Sequence, residues 1–365
     1  MDTAYTPYPY PPEHRDMMVF TFAMTGYERD LEALLAAGAD IDTRDESGRT
    51  PLMHVARVSP YAEDDAPEWH RDVAHLFEMR GDDSGRVLVE EVETALRMMR
   101  FLAAHGADVN ARDARGRTPL MYAARFYNLE EDGMPDAERK LISTLLGLGA
   151  DIDARDEEGL TPLLHGAAKG REVAVEAVLD AGADTSVVTT DGRDFASCLS
   201  QGGAANALRK LVAAGRIDIL AKDPAGLTPL QRTYNPRYHN ATACLPVLLD
   251  AGADPDSRDA DGCTLLARLS EGCDTRAIGA LLAHGANARV VDKEGKCAWD
   301  YVLAAPDVCR LAPFIANGWE VPDSAEHNAL LRELARLGST DGVRRVLALG
   351  KYDPERRGDG EVDFH

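Results

Sequence analysis

Few residues in this sequence have the types and spacing that catalysis or metal binding requires. There is no GxxxxGKS or GxxxxGKT loop for phosphates, no GxSxG turn for a nucleophilic serine and no HExxH zinc motif. His70 and His75 lie five residues apart, a poor spacing for a shared metal on one helical face. Cys263 and Cys297 are interpreted as reduced thiols, because six cysteines without a CxxC pair are no disulfide framework in a chain of this length. The sequence therefore predicts a protein that is not an enzyme and that uses no metal and no cofactor.

Arginine and aromatic side chains in the N-terminal part of the chain are instead candidates for binding another protein. Many of these arginines flank a short Asp-x-x-Gly pattern, as Arg44 and Arg49 flank Asp45 to Gly48. Arginine, tryptophan and tyrosine supply much of the binding energy in protein interfaces. The candidate residues are Arg44, Arg49, Arg57, Trp69, Phe77, Arg112, Arg115, Arg117, Arg125, Phe126 and Tyr127. A partner surface that meets this set is expected to be acidic.

Composition and charge limit the class of protein. The 365 residues include 40 Lys and Arg against 62 Asp and Glu, and the net charge of −22 argues against a general nucleic-acid binder. Apolar residues make up 45% of the chain, which is typical of a soluble folded protein, and no apolar run has the roughly 18 residues of a membrane span. The Pro- and Tyr-rich start does not resemble a signal peptide, so a cytoplasmic protein is expected. Arginine outnumbers lysine, which favours a bacterial source.

Internal repetition is the strongest pattern and determines the predicted fold. Nine glycines follow similar apolar segments such as LLAAGAD and LLDAGAD, and their most frequent spacing is 33 residues. A glycine just past a helix readily adopts the left-handed conformation that ends it. These glycines are Gly38, Gly106, Gly149, Gly182, Gly215, Gly252, Gly285, Gly318 and Gly350. Three of the intervals are longer than 33 residues and indicate insertions.

Two further motifs recur in register with these glycines. Thr-Pro-Leu begins at Thr50, Thr118, Thr161 and Thr228. Asp-x-x-Gly precedes the start of a helix in six repeats, with its aspartate at Asp45, Asp113, Asp156, Asp223, Asp259 and Asp292. With these motifs, the chain resembles the ankyrin repeat family over residues 13–350. The resemblance implies an all-α fold: an α-solenoid of about nine ankyrin-like helix-turn-helix repeats, with β-hairpin-like loops and a helical insertion in the second repeat.

Local chemistry accounts for the motifs and for their exceptions. The threonine hydroxyl is expected to cap the following helix, and proline suits its first position. The family usually has histidine directly after Thr-Pro-Leu, whereas this chain has methionine, leucine or glutamine there, so the buried histidine bond at the hairpin base is expected to be absent. The repeats that read Asp194-Phe195-Ala196 and Thr264-Leu265-Leu266 in place of Thr-Pro-Leu are expected to be weaker or differently packed.

The insertions divide the chain further. They span about 59–93 and 128–138, between a Pro/Tyr-rich tail at 1–12 and an acidic tail at 351–365. Trp69, Val73, Leu76 and Phe77 recur at helical spacing, and the apolar periodicity from Val87 onward predicts that the second helix of this repeat starts early. Insertions at equivalent positions of neighbouring repeats project from one edge, which is either a binding lip or a cover for exposed core.

The resemblance implies a function as well as a fold. Ankyrin repeats bind proteins on a concave surface made by the hairpin tips and the first helices, and by position this surface would include Arg57 and Arg125 as exposed residues. The alternative interpretation is a ladder of Arg–Asp pairs that ties the hairpins together. The leading hypothesis is a non-catalytic scaffold for a protein partner, monomeric when free, and its sharper form is an immunity or antitoxin protein that occludes a toxic enzyme. The alternatives are an enzyme or translocated effector with a site in the insertion, and a nucleic-acid mimic or binder.

Overall fold

The computed structural model describes residues 15–57, 84–125, 135–234, 243–272 and 274–304, with short stretches between 313 and 344. These residues form helices joined by tight loops, and within them no strand is present beyond an isolated antiparallel bridge between Arg258 and Thr264. The chain divides into two compact units, Met1–Ala207 and Leu208–His365. The predicted tails at 1–12 and 351–365 lie outside the described residues, as do Gly318 and Gly350, so the count of nine repeats stays a prediction.

The first unit is built from pairs of antiparallel helices. Its helices are α1 (Arg15–Thr25), α2 (Glu28–Ala36), α3 (Pro51–Arg57), α4 (Ser84–Ala104), α5 (Pro119–Arg125), α6 (Pro135–Gly147), α7 (Pro162–Ala168), α8 (Glu172–Asp180) and α9 (Phe195–Gly202). The first helices α1, α3, α5, α7 and α9 pack one against the next, and the second helices α4, α6 and α8 form a parallel row. Each repeat therefore buries its apolar face against its neighbours, which confirms the predicted all-α repeat solenoid.

The second unit follows the same plan. Helix α10 (Ala205–Ala213) begins in the first unit and ends in the second, which continues with α11 (Pro229–Arg232), α12 (Cys244–Asp250), α13 (Leu265–Gly272), α14 (Thr275–Ala283) and α15 (Ala298–Ala304). Helix α11 packs on α12, and α13 packs on both α14 and α15. The leucines of the Thr-Pro-Leu motifs in both units are buried at 0–1% exposure, so the motif anchors each first helix in the core.

Helix α4 is 21 residues long and is the longest of the described helices. The early start predicted from the apolar periodicity is confirmed, since the helix begins at Ser84. Its C-terminal half is core, with Met98, Met99 and Leu102 fully buried. The predicted insertion at 59–93 is therefore partly the N-terminal extension of this helix. The other part, with the amphipathic segment around Trp69, lies outside the described residues.

Glycine ends the second helices as predicted. The backbone is left-handed at Gly106 and Gly149, with φ of 95° at both, and at the hairpin glycine Gly48, with φ of 74°. A side chain at Gly48 would also place a Cβ 2.9 Å from the backbone nitrogen of Ala114 in the next hairpin. The hairpin glycine thus serves both the turn and the close stacking of repeats.

The helix caps differ from the prediction in two repeats. The hydroxyls of Thr161 and Thr228 accept hydrogen bonds from amides of their helices, as expected. In contrast, the hydroxyls of Thr50 and Thr118 have no hydrogen-bond partner, and their amides donate instead to methionine sulfurs three residues on, at 3.4 Å. The methionine after Thr-Pro-Leu is therefore a weak acceptor at the position where Gln231 completes a capping box with Thr228.

In the repeat that reads Asp194-Phe195-Ala196, other side chains replace the groups of the missing Thr-Pro-Leu motif. Asp194 caps α9 by accepting from the amide of Ser197 at 2.7 Å. The hydroxyl of Thr189 stands where the other hairpins have aspartate and accepts from the amide of Arg193 at 2.9 Å. This helix also comes very close to α7, since a Cβ at Gly202 would overlap the carbonyl oxygen of Ala167. The repeat is thus differently capped, and glycine permits its close packing.

Candidate functional site

Each hairpin is organised by the first residue of its Asp-x-x-Gly motif. In the fourth repeat, Oδ1 of Asp156 accepts from the amides of Glu158 and Leu160, at 3.0 and 2.8 Å. Its Oδ2 accepts from Nε2 of His165 on α7, at 2.8 Å. Both side chains are buried, with 1% and 3% exposure. One carboxylate therefore shapes the turn and holds the first helix against it.

The same arrangement recurs in five other repeats, where the partner is also the side chain nine residues after the aspartate. The partner is histidine, tyrosine or arginine, and the bonds from it to Oδ2 are between 2.6 and 3.1 Å long. The pairs are Asp45–His54, Asp113–Tyr122, Asp223–Arg232, Asp259–Arg268 and Asp292–Tyr301. The expectation that the buried histidine bond is absent is wrong, because the histidine lies one position later in two repeats. The spacing of nine residues in six repeats was the available signal.

Burial keeps these histidines neutral. Burial lowers the pKa of His54 and of His165, and the hydrogen bond to the aspartate offsets only part of this effect. Burial raises the pKa of Asp156, but the bonds from His165 and the amides outweigh it and hold that pKa below its usual range. Burial also raises the pKa of Tyr122 to about 12, with the bond to Asp113 acting in the same direction. At neutral pH the pairs act as fixed structural bonds.

The residue before the hairpin aspartate connects neighbouring repeats. Nη1 of Arg44 donates to the carbonyl of Gly48 in its own hairpin and to that of Arg112 in the next, at 2.8 and 2.6 Å. Nη1 of Arg112 does the same to Gly116 and Arg155. In the second unit Lys222 and Arg258 also reach carbonyls of the following hairpin. The ladder proposed as an alternative thus exists, but it joins arginines to backbone carbonyls rather than to carboxylates.

The predicted exposure of the first-helix arginines is wrong for Arg57. Its side chain is 2% exposed, and that of Arg125 is half-buried. The arginines after the hairpin glycine are buried as well, with 6% exposure for both Arg49 and Arg117. Their position at the base of the hairpin, between stacked repeats, explains the difference. The exposed candidates among the described arginines are Arg44, Arg112 and Arg115, which we call the cationic hairpin edge.

The geometry agrees with sequence comparison. A family model described as "Ankyrin repeats (many copies)" matches residues 91–130, and one described as "Ankyrin repeat" matches residues 115–157. These ranges contain α5 with its Asp113–Tyr122 pair and the start of the next hairpin. Residues 91–157 belong to the ankyrin repeat family. Such repeats are protein–protein interaction modules that typically form non-catalytic scaffolds. No curated protein matches the chain.

The other candidate features lie outside the described residues or form no site. Trp69, Phe77, Phe126 and Tyr127 lie outside the described residues, as does most of the predicted lip. Within the described ranges no group of three or more His, Cys, Asp or Glu side chains is placed to hold a metal ion. None of the helices described there combines the length and apolar character that crossing a bilayer requires.

The two cysteines singled out in the sequence are buried free thiols. Cys263 and Cys297 are 6% and 7% exposed. Burial raises the pKa of Cys263 to about 11, and its Sγ lies 3.5 Å from Oδ2 of Asp292. A thiol with such a pKa has little thiolate at neutral pH, which is consistent with a packing role.

Proposed function

We propose that this protein is a non-catalytic scaffold that binds an acidic surface of a partner protein at its cationic hairpin edge. Arg115 carries this proposal. Its side chain is exposed at the hairpin tip of the third repeat, and its hydrogen bonds to other described residues are made by its backbone amide and carbonyl. The carbonyl ladder accounts for Arg44 and Arg112 but needs nothing from Arg115. An exposed arginine on a rigid turn is instead suited to a carboxylate supplied from outside.

The local charge supports an acidic rather than a basic partner at this edge. The hairpin of the third repeat has three arginines around one aspartate, and both oxygens of that aspartate are already bonded within the repeat. The chain as a whole has a net charge of −22, so this cluster of arginines is opposite in sign to the net charge of the chain. Such a contrast favours one docking orientation and speeds encounter at low salt.

The test is binding of partner by a matched pair of variants. Partner captured by the wild-type protein is purified, and its affinity is measured for Arg115→Glu and for Lys293→Glu, a charge reversal on an exposed hairpin residue of the second unit. We expect Arg115→Glu to weaken binding at least about tenfold and Lys293→Glu to change it little. Equal effects of the two variants would contradict a site at this edge, and a partner kept by both would move the site to the insertion or the second unit.

A sharper form of the proposal is that the partner is a toxic enzyme and the protein acts as its immunity or antitoxin protein. The excess of acidic residues and the bacterial type of composition support this form. Co-expression with a toxin encoded beside it tests the idea directly. Growth rescue by the wild-type protein that Arg115→Glu loses is the expected result, and failure to rescue cells from such toxins would count against it.

A further inference from the structure

Two buried arginines of the second and third repeats do not use all their hydrogen-bond donors. Arg49 and Arg117 each follow a hairpin glycine, and each is 6% exposed. The Nε and Nη1 atoms of Arg49 and the Nε atom of Arg117 are buried, and these three atoms have no hydrogen-bond partner. A buried charged donor without an acceptor costs more than a buried neutral one, so these groups call for an anion.

The neighbouring carboxylates cannot supply it. Asp45 accepts from two amides through Oδ1 and from His54 through Oδ2. Asp113 accepts from two amides and from the hydroxyl of Tyr122. Arg49 lowers the pKa of Asp45 through space, yet no hydrogen bond joins the two side chains. The oxygens of both aspartates therefore already accept hydrogen bonds within the fold, and the buried guanidinium donors of Arg49 and Arg117 remain available.

Arg49 lies against an aromatic ring, and both arginines affect the hydroxyl of that ring electrostatically. The Cζ atom of Arg49 lies 5.8 Å from the centre of the Tyr122 ring, an arrangement typical of a cation–π contact. Both Arg49 and Arg117 act electrostatically on the Tyr122 hydroxyl. The ring belongs to α5 in the third repeat, while Arg49 comes from the second, so stacking of the repeats creates the juxtaposition.

We propose that Arg49 and Arg117 form a pocket beside Tyr122 that binds a carboxylate side chain of the acidic partner. The proposal deepens the proposed function and rests on it for the source of the carboxylate. Guanidinium N–H groups match the two oxygens of a carboxylate, and a site removed from water strengthens each charge-assisted bond. Exposed Arg115, two residues before Arg117, would guide the acidic segment to the pocket.

The test is an NMR titration of the full chain that observes the Nε–Hε signals of the two arginines. The probes are a capped hexaglutamate peptide, a capped hexaglutamine control and, separately, inorganic phosphate. The variants Arg49→Lys and Arg117→Lys keep the charge but lose the planar donor set, and they also assign the signals. Lys293→Gln removes an exposed charge on a hairpin of the second unit and serves as the control. Circular dichroism checks that each variant is folded.

We expect hexaglutamate, and not hexaglutamine, to shift both signals saturably. Arg49→Lys or Arg117→Lys should weaken hexaglutamate binding about tenfold or more, and Lys293→Gln should weaken it less than about threefold. Unshifted signals, unchanged affinity in both lysine variants, or a response to phosphate alone would each overturn a carboxylate pocket. A negative titration with partner binding still lost in Arg115→Glu refutes the pocket and leaves the proposed function standing. A positive titration with partner binding unaffected by Arg115→Glu supports the pocket and refutes the proposed function.

Discussion

Removing the carboxylate of Asp156 should destabilise the protein far more than removing a neighbouring carboxylate of the same type. In Asp156→Ala, Nε2 of His165 and the amide of Leu160 lose their acceptor, and both residues are buried, at 3% and 6% exposure. At about 1–3 kcal/mol for each unsatisfied buried donor, the free energy of unfolding should fall by about 2–6 kcal/mol. The amide of Glu158 loses a bond too, but this exposed residue can bond to water.

Asp153→Ala is the matched control. Its carboxylate accepts one bond across the repeats, from the exposed amide of Asp184 at 3.0 Å, so the loss should be about 0.5–1.5 kcal/mol. Asp156→Asn should lie between the two, because the amide oxygen can still serve the turn while the bond from His165 is lost.

The measurement combines urea unfolding, followed by circular dichroism at pH 7, with hydrogen exchange resolved by repeat. Exchange is needed because long repeat arrays can unfold in parts, and the loss should be largest in the repeats that contact α7. Equal destabilisation by Asp156→Ala and Asp153→Ala would refute the reasoning, since it would mean that the buried pair adds nothing beyond an ordinary exposed bond.

Three further outcomes are expected. The pKa values of His54 and His165 are lowered on folding, so the unfolded chain binds more protons than the folded one below about pH 6.5, and the free energy of unfolding should fall from pH 7 to 5. This fall should be smaller in the double variant His54→Gln, His165→Gln. An unchanged pH dependence of the double variant in urea unfolding would contradict the prediction. Gly202→Ala should lower the free energy of unfolding by about 1–3 kcal/mol, because the added Cβ meets a backbone carbonyl. Gly147→Ala should raise it by about 0.4–1 kcal/mol, because this glycine is at an exposed helical position where the added Cβ has no atom within 4 Å. Thermal unfolding measures both changes. Cys263 should resist alkylation by iodoacetamide at pH 8 in the native protein and react in urea, because its thiol is buried and has a raised pKa. Mass spectrometry measures the labelling, and rapid labelling of the native protein would contradict the prediction.

The period and the turns were predictable because they depend on single residues. A glycine that must be left-handed, as at Gly106, marks a helix end wherever it lies in the chain. The early start of α4 was likewise visible as apolar periodicity within one segment. Such features are local, so neighbouring repeats do not alter them.

The environment of the arginines was less predictable because it depends on the next repeat. Arg57 and Arg115 are the same residue type near the same motif, yet one is buried and the other exposed. Burial of Arg49 arises from stacking with α5, which lies 70 residues later in the chain. The Asp156–His165 pair was different, because its spacing of nine residues was present in the sequence but was hidden by the expectation of histidine one position earlier.

The carbonyl ladder of Arg44 and Arg112 also has a direction. Each arginine reaches toward the C-terminus, so a repeat supplies the donor and its successor supplies the acceptor. Loss of a repeat from the C-terminal side leaves a cation that water can solvate, while loss from the N-terminal side leaves only a free carbonyl. Because every junction of this kind has the same polarity, a whole repeat can be duplicated or deleted in evolution and the two new neighbours still fit each other.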